Sequence, residues 1–118
     1  MRSTAFYSTV FASKPTLNVP GMTEFEVGRD TVLGLMPEAG IVRLLGDAID
    51  KPVPAGRTPR AELYLMVDDP QVYHERALAS GGLELSKLHP RDWGHTAAYS
   101  LDPDGYVIAF AKLTALRK

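Results

Sequence analysis

The sequence predicts an α+β domain built from two related half-units. Three observations point there. The element order repeats: helix, strand, hairpin, and then, after a connector, strand, helix, strand, hairpin. The clearest strand alternates Leu63, Leu65 and Val67 with Glu62, Tyr64 and Met66, the period of a half-buried strand. Each half also carries its own turn signal, Gly28-Arg29-Asp30 in the first and Asp102-Pro103-Asp104-Gly105 in the second. The second half reads βαβββ, and the first is the same unit without its leading strand. One domain of residues 1–118 is expected, with module one at 1–36, a connector at 37–60 and module two at 61–113.

Taken in order, Ser3 is placed to cap a first helix over residues 4–12. Phe6 and Val10, and Tyr7 and Phe11, make its apolar face. Pro15 cannot continue that helix, and a short strand at 16–19 ends at Pro20-Gly21. Residues 23–27 and 31–36 read as a hairpin. Placing Val27 opposite Thr31 sets Phe25 across from Leu33 and keeps Phe25, Val27, Leu33 and Leu35 on one face. The alternative register would bury Glu24 and Glu26 among leucines, which is costly. Residues 41–45 suit one or two helical turns, and residues 50–60, with three prolines and a glycine, suit an irregular loop. After the strand at 61–67, Asp69 and Pro70 are a helix start, and Gly81-Gly82 a helix end near Ser80. Strands follow at 83–88, 96–101 and 106–112, the last two joined by the Asp102–Gly105 turn.

Composition narrows the function classes. The chain has 118 residues, 13 Lys plus Arg and 14 Asp plus Glu, for a formal charge of −1. That near-neutral balance, without basic clusters, gives no footprint for nucleic acid. No apolar run reaches the ~18 residues of a spanning helix, so no membrane partner is expected. The absence of cysteine excludes disulfides, thiolate metal sites and cysteine nucleophiles. Together with a start that lacks a signal-peptide pattern, this sets a cytoplasmic expectation. The sequence contains no nucleophile elbow, phosphate loop or dinucleotide fingerprint.

Three segments, AFYSTVF, VDDPQVYHERALASGG and DWGHTAAYSLDPDGYVIAFA, resemble the vicinal oxygen chelate superfamily of glyoxalases, bleomycin resistance proteins and extradiol dioxygenases. The Trp-Gly before a strand and the DPDG turn after it are the most specific of these features. The resemblance implies two βαβββ modules forming a curved mixed sheet, helices outside, a ligand-holding hollow inside, and a homodimer. In metal-using members the first and last strands of each module supply the ligands. Here those positions hold Glu62, Ala109 and about Gly34, and the strand that would carry the fourth is absent, so the expected metal set is none. A divalent cofactor would then need ligands from a missing leading strand or from a dimer partner. Three explanations of the absent strand stay open: a shortened start, a further segment, or a partner that covers the gap. Pairing of modules within one chain or across a dimer stays open too.

If the ligand positions point inward, strand alternation brings Tyr64, Met66 and Tyr99 inward with Glu62 and Ala109, and Glu24 inward from module one. Trp93, in the loop before the last hairpin, is placed to stack on a ligand at the rim. The expected ligand-binding set is therefore Glu62, Tyr64, Tyr99, Trp93, Met66, Ala109 and Glu24, around a small organic molecule. Catalytic residues are not assigned, and whether the chain is an enzyme is left open. His95 opens the strand at the rim as a further contact candidate. His74, beside Glu75 and Arg76, is read as a solvated helix residue, and His89 is given no role. The leading expectation is metal-free sequestration of an organic ligand, as in the bleomycin resistance branch. The alternative is a metal-dependent lyase, isomerase or ring-cleaving dioxygenase.

Overall fold

The computed structural model describes residues 2–50 and 61–115. The reading of 51–60 as an irregular loop lies outside them. Helix α1 (Arg2–Val10) is followed by β1 (Leu17–Val19), β2 (Met22–Gly28) and β3 (Thr31–Leu35), then by α2 (Glu38–Leu45) and a short 3-10 turn. Module two contributes β4 (Glu62–Met66), α3 (Pro70–Ala79), β5 (Leu83–Pro90), β6 (His95–Leu101) and β7 (Val107–Leu113). The first sheet has the order β1-β2-β3 and is antiparallel. The second has the order β4-β7-β6-β5, with β4 parallel to β7 and the other neighbours antiparallel. This is the α+β, two-module architecture expected from the sequence.

The predicted hairpin register holds where it matters: Phe25 pairs with Leu33 and Glu24 with Gly34. The expected Val27–Thr31 pairing does not occur. Gly28 pairs with Thr31, and a β-bulge between Glu26 and Gly28 absorbs the extra residue. The tight turn then needs only Arg29 and Asp30, with Asp30 left-handed at φ 58°. The bulge reconciles a two-residue turn with burial of Phe25.

Helices α1 and α3 cover one face of the sheets. Phe6, Tyr7, Val10 and Phe25 from module one join Ala77, Ile108 and Phe110 from module two in a single core cluster. Ser3 does not cap α1. It lies inside the helix, is buried, and hydrogen-bonds Asp104 across the modules. Asp69 does cap α3, accepting from the Val72 amide at 3.4 Å. The Asp102 carboxylate closes the last turn by accepting from the amides of Asp104 and Tyr106, both at 2.9 Å.

His74 corrects the sequence reading. It is 2% exposed and packs between α3 and β5, with Nε2 2.9 Å from a Glu84 carboxylate oxygen. Its charged sequence neighbours suggested solvent, but at about 100° per residue the helix points Glu75 and Arg76 away from the direction of His74, which faces the sheet.

Candidate functional site

Strand pairing assembles the site from the face of the second sheet opposite the helices. Across the sheet, Tyr64 of β4 lies beside Ala109 of β7, and Ala109 beside Tyr99 of β6. One step along, Met66 lies beside Ala111, and Ala111 beside Ala97. Ala97, Ala109 and Ala111 are all fully buried. Their methyls make a low floor, so the long Tyr64 side chain crosses β7 and reaches the start of β6.

There Tyr64 is the hub of a three-residue chain. Its hydroxyl lies 2.7 Å from His95 Nδ1 and accepts from Trp93 Nε1 at 2.9 Å. The indole nitrogen can only donate, so the single phenolic proton is available to Nδ1. When that proton goes to Nδ1, the neutral imidazole carries its hydrogen on Nε2. The contact with Tyr64 orients the His95 ring. The Tyr64 and His95 rings are 5.8 Å apart.

Beside this chain, Arg91 lies over the Tyr99 ring at 5.1 Å and is held by the Ala97 carbonyl (2.9 Å), Ser86 Oγ (2.9 Å) and the Lys87 carbonyl (3.0 Å). Desolvation, and then the nearby Glu62 and Tyr64, raise the Tyr99 phenol above the ordinary tyrosine value, with Arg91 opposing. Tyr99 is thus kept as a neutral hydrogen-bonding group.

Of the residues expected from sequence, Glu62, Tyr64, Met66, Tyr99 and Ala109 lie on one face of the second sheet, and Trp93 is tied to them through Tyr64. Glu62, Met66 and Trp93 are exposed. Glu24 is elsewhere, half-buried on the middle strand of the first sheet, with its carbonyl accepting from Thr16. His95 and Arg91, outside the expected set, join these residues through Tyr64 and Tyr99. Trp93-Gly94-His95 sets two ring nitrogens two residues apart at a strand start, which was the available signal.

A cleft of about 680 Å³ opens between the modules, lined by Tyr64 and Met66 together with Phe11, Val27, Leu65 and Tyr73. That volume falls in the range that holds small organic molecules.

A glyoxalase-related enzyme from Fulvimarina pelagi superposes with a TM-score of 0.77 at 23% identity, covering 94% of this chain and 78% of the other. The fold is that of the glyoxalase/bleomycin resistance proteins. A glyoxalase/bleomycin resistance protein/dioxygenase from Nocardioides gives 0.71 at 19% identity over 98% and 77% of the two chains. A glyoxalase/bleomycin resistance protein/dioxygenase family enzyme from Burkholderia phytofirmans PsJN gives 0.74 at 18% identity over 96% and 89%. No family model and no curated protein matches the chain.

The donor set does not fit the divalent ion of that superfamily's metal-using members. Glu62 is the one carboxylate at an expected ligand position, while Ala109 and Gly34 cannot ligate. His95 Nδ1 is taken up by the Tyr64 hydroxyl. Among the described residues no group of three or more His, Cys, Asp or Glu is placed to hold a metal.

Proposed function

We propose that the chain is a vicinal oxygen chelate superfamily protein of the bleomycin resistance type, a cytoplasmic homodimer that sequesters a small organic molecule without a metal. The observation that carries this reading is the Trp93–Tyr64–His95 chain over an alanine floor, on the face where the sequence resemblance puts ligand positions. A metal centre would require carboxylates in place of Ala109 and Gly34. The hydrogen-bond chain instead offers an oriented imidazole, a donor at His95 Nε2 when Tyr64 donates to Nδ1, and an aromatic wall. Such a surface suits a ligand with a planar apolar body and a hydrogen-bond acceptor, held by shape and a few polar contacts. Glu62 and the Tyr99 hydroxyl add an acceptor and a donor at its edge. The homodimeric and cytoplasmic parts of the proposal rest on the sequence resemblance and on the cysteine-free composition.

Trp93 is the single tryptophan and is 56% exposed, so its fluorescence reports directly on this face. Screening a library of planar aromatic carboxylates and ketones should yield compounds that change Trp93 emission saturably. That response should weaken about tenfold in Tyr64→Phe, which frees His95 to reorient. Calorimetric titration with nickel, zinc or manganese should show no stoichiometric binding. Micromolar metal binding that depends on Glu62 would replace this reading with a metal-dependent lyase, isomerase or dioxygenase.

A further inference from the structure

Arg91 is held against the sheet face that carries Tyr64, Tyr99 and Ala109, yet no opposite charge answers its own. Nε and Nη2 donate to the Ala97 carbonyl, and Nη2 also to Ser86 Oγ and the Lys87 carbonyl, so every acceptor is neutral. The ion pairs among the described residues are Arg2–Asp104 and His74–Glu84. Asp92, next in the chain, is exposed and forms none of them. Residues 51–60 and 116–118 contain no Asp or Glu. A guanidinium drawn partly out of water gains most from a carboxylate partner, whose bonds to it are charge-assisted.

A defined part of Arg91 is left unused. Its neutral partners occupy the Nε and Nη2 groups, which fixes the plane of the fork, and Nη1 has no partner among the described residues. The guanidinium carbon lies 5.1 Å from the centre of the Tyr99 ring. The Tyr99 hydroxyl also has no hydrogen bond among the described residues, and desolvation, then Glu62, keep it protonated as a donor. A charged donor and a neutral donor are thus stacked together with both free. Glu62 is near enough to act on Tyr99 but does not pair with Arg91.

We propose, resting on the small-molecule reading above, that the Arg91–Tyr99 pair is the subsite for a carboxylate on the molecule bound at this face, and that this molecule is a planar aromatic acid with a single negative charge. Arg91 Nη1 and the Tyr99 hydroxyl both donate to the carboxylate. The aromatic body extends toward His95, which shares this face of β6 with Tyr99. A second carboxylate would be repelled by Glu62, so one charge is the limit.

The probes are trans-cinnamate and its uncharged amide, cinnamamide, titrated into the full chain and followed by nitrogen-15 NMR at the Trp93 indole and Arg91 Nε. Cinnamate should shift both signals saturably and bind about tenfold more tightly than cinnamamide. Raising sodium chloride should narrow that difference. Arg91→Gln should abolish it, bringing cinnamate down to the affinity of the amide. Glu62→Gln, which removes a charge and keeps an acceptor oxygen, should tighten cinnamate about threefold and leave cinnamamide unchanged. That second variant keeps the test decisive if Arg91→Gln does not fold. Equal binding of the two probes to the parent chain overturns the carboxylate subsite and leaves the small-molecule reading standing. So does a preference for cinnamate that survives Arg91→Gln, or no gain for cinnamate in Glu62→Gln. No saturable shift from either probe up to about 10 mM overturns both.

Discussion

Tyr7 is 3% exposed and donates to the Asp102 carboxylate at 2.6 Å, joining the first helix to the last turn. Burial first, and the Asp102 hydrogen bond and charge next, raise its phenol well above the ordinary tyrosine value. The unfolded chain loses this proton near pH 10, while the folded chain keeps it. Folding therefore retains the full contribution of Tyr7 below pH ~10. Above it, stability falls by about 1.4 kcal/mol per pH unit as the unfolded state alone deprotonates. Tyr7→Phe should lose about 1–3 kcal/mol at neutral pH, because Asp102 is left buried without this partner, and should show a shallower alkaline loss. Urea unfolding from pH 8 to 11 measures both; parallel alkaline slopes for the two proteins would refute the assignment. Asp102 was read from the sequence as a turn residue. Its bond from Tyr7 was hidden, because the two residues are far apart in the chain and only packing brings them together.

Helices α1 and α3 end in the same way, which makes the duplication visible at the level of elements. In α3, Gly82 N–H donates to the Ala77 carbonyl at 2.8 Å and Gly81 N–H to Leu78 at 3.4 Å, with Gly81 at φ 100°. In α1, Ser13 donates to Ser8 at 3.2 Å and Ala12 to Thr9 at 3.1 Å, with Ala12 at φ 50°. Both are Schellman ends, and Ala12 occupies the place of Gly81. A left-handed alanine costs about 1 kcal/mol, so Ala12→Gly should raise Tm by about 4 °C in a thermal scan. Gly82→Ala should lower it, since the added Cβ would lie 2.8 Å from the Ala77 carbonyl oxygen, a backbone atom with little room to move. An Ala12→Gly variant that melts lower than the parent would show that this end is not strained. The glycine pair announced its helix end in the sequence. Pro15 bounded α1 in the sequence, but the left-handed conformation of Ala12 did not show itself, because alanine carries no turn signal.

The two modules make one molecule through their shared core. Phe6, Tyr7, Val10 and Phe25 pack with Ala77, Ile108 and Phe110. Arg76 donates to the Val10 carbonyl at 3.4 Å, and Arg2 pairs with Asp104 at 3.3 Å. Both sheets lie beneath the same two helices, so neither module buries its apolar face without the other. Calorimetry should therefore show a single transition with equal calorimetric and van't Hoff enthalpies. Two resolved transitions would mean that the modules fold separately.

The α+β class, the two-module order, the capped start of α3 and the Phe25–Leu33 register were determined by the sequence itself. Each follows from local signals: side-chain period, turn residues, and the cost of burying carboxylates. Membership of Glu62, Tyr64, Met66, Tyr99 and Ala109 in one sheet face was legible for the same reason, since a strand alternates its faces regardless of what packs on it. Only the tertiary structure decided that Tyr64 joins Trp93 to His95 and that His74 is buried against Glu84. Those facts depend on which distant segments pack together, and hydrogen bonds between side chains about thirty residues apart leave no period to read in either segment.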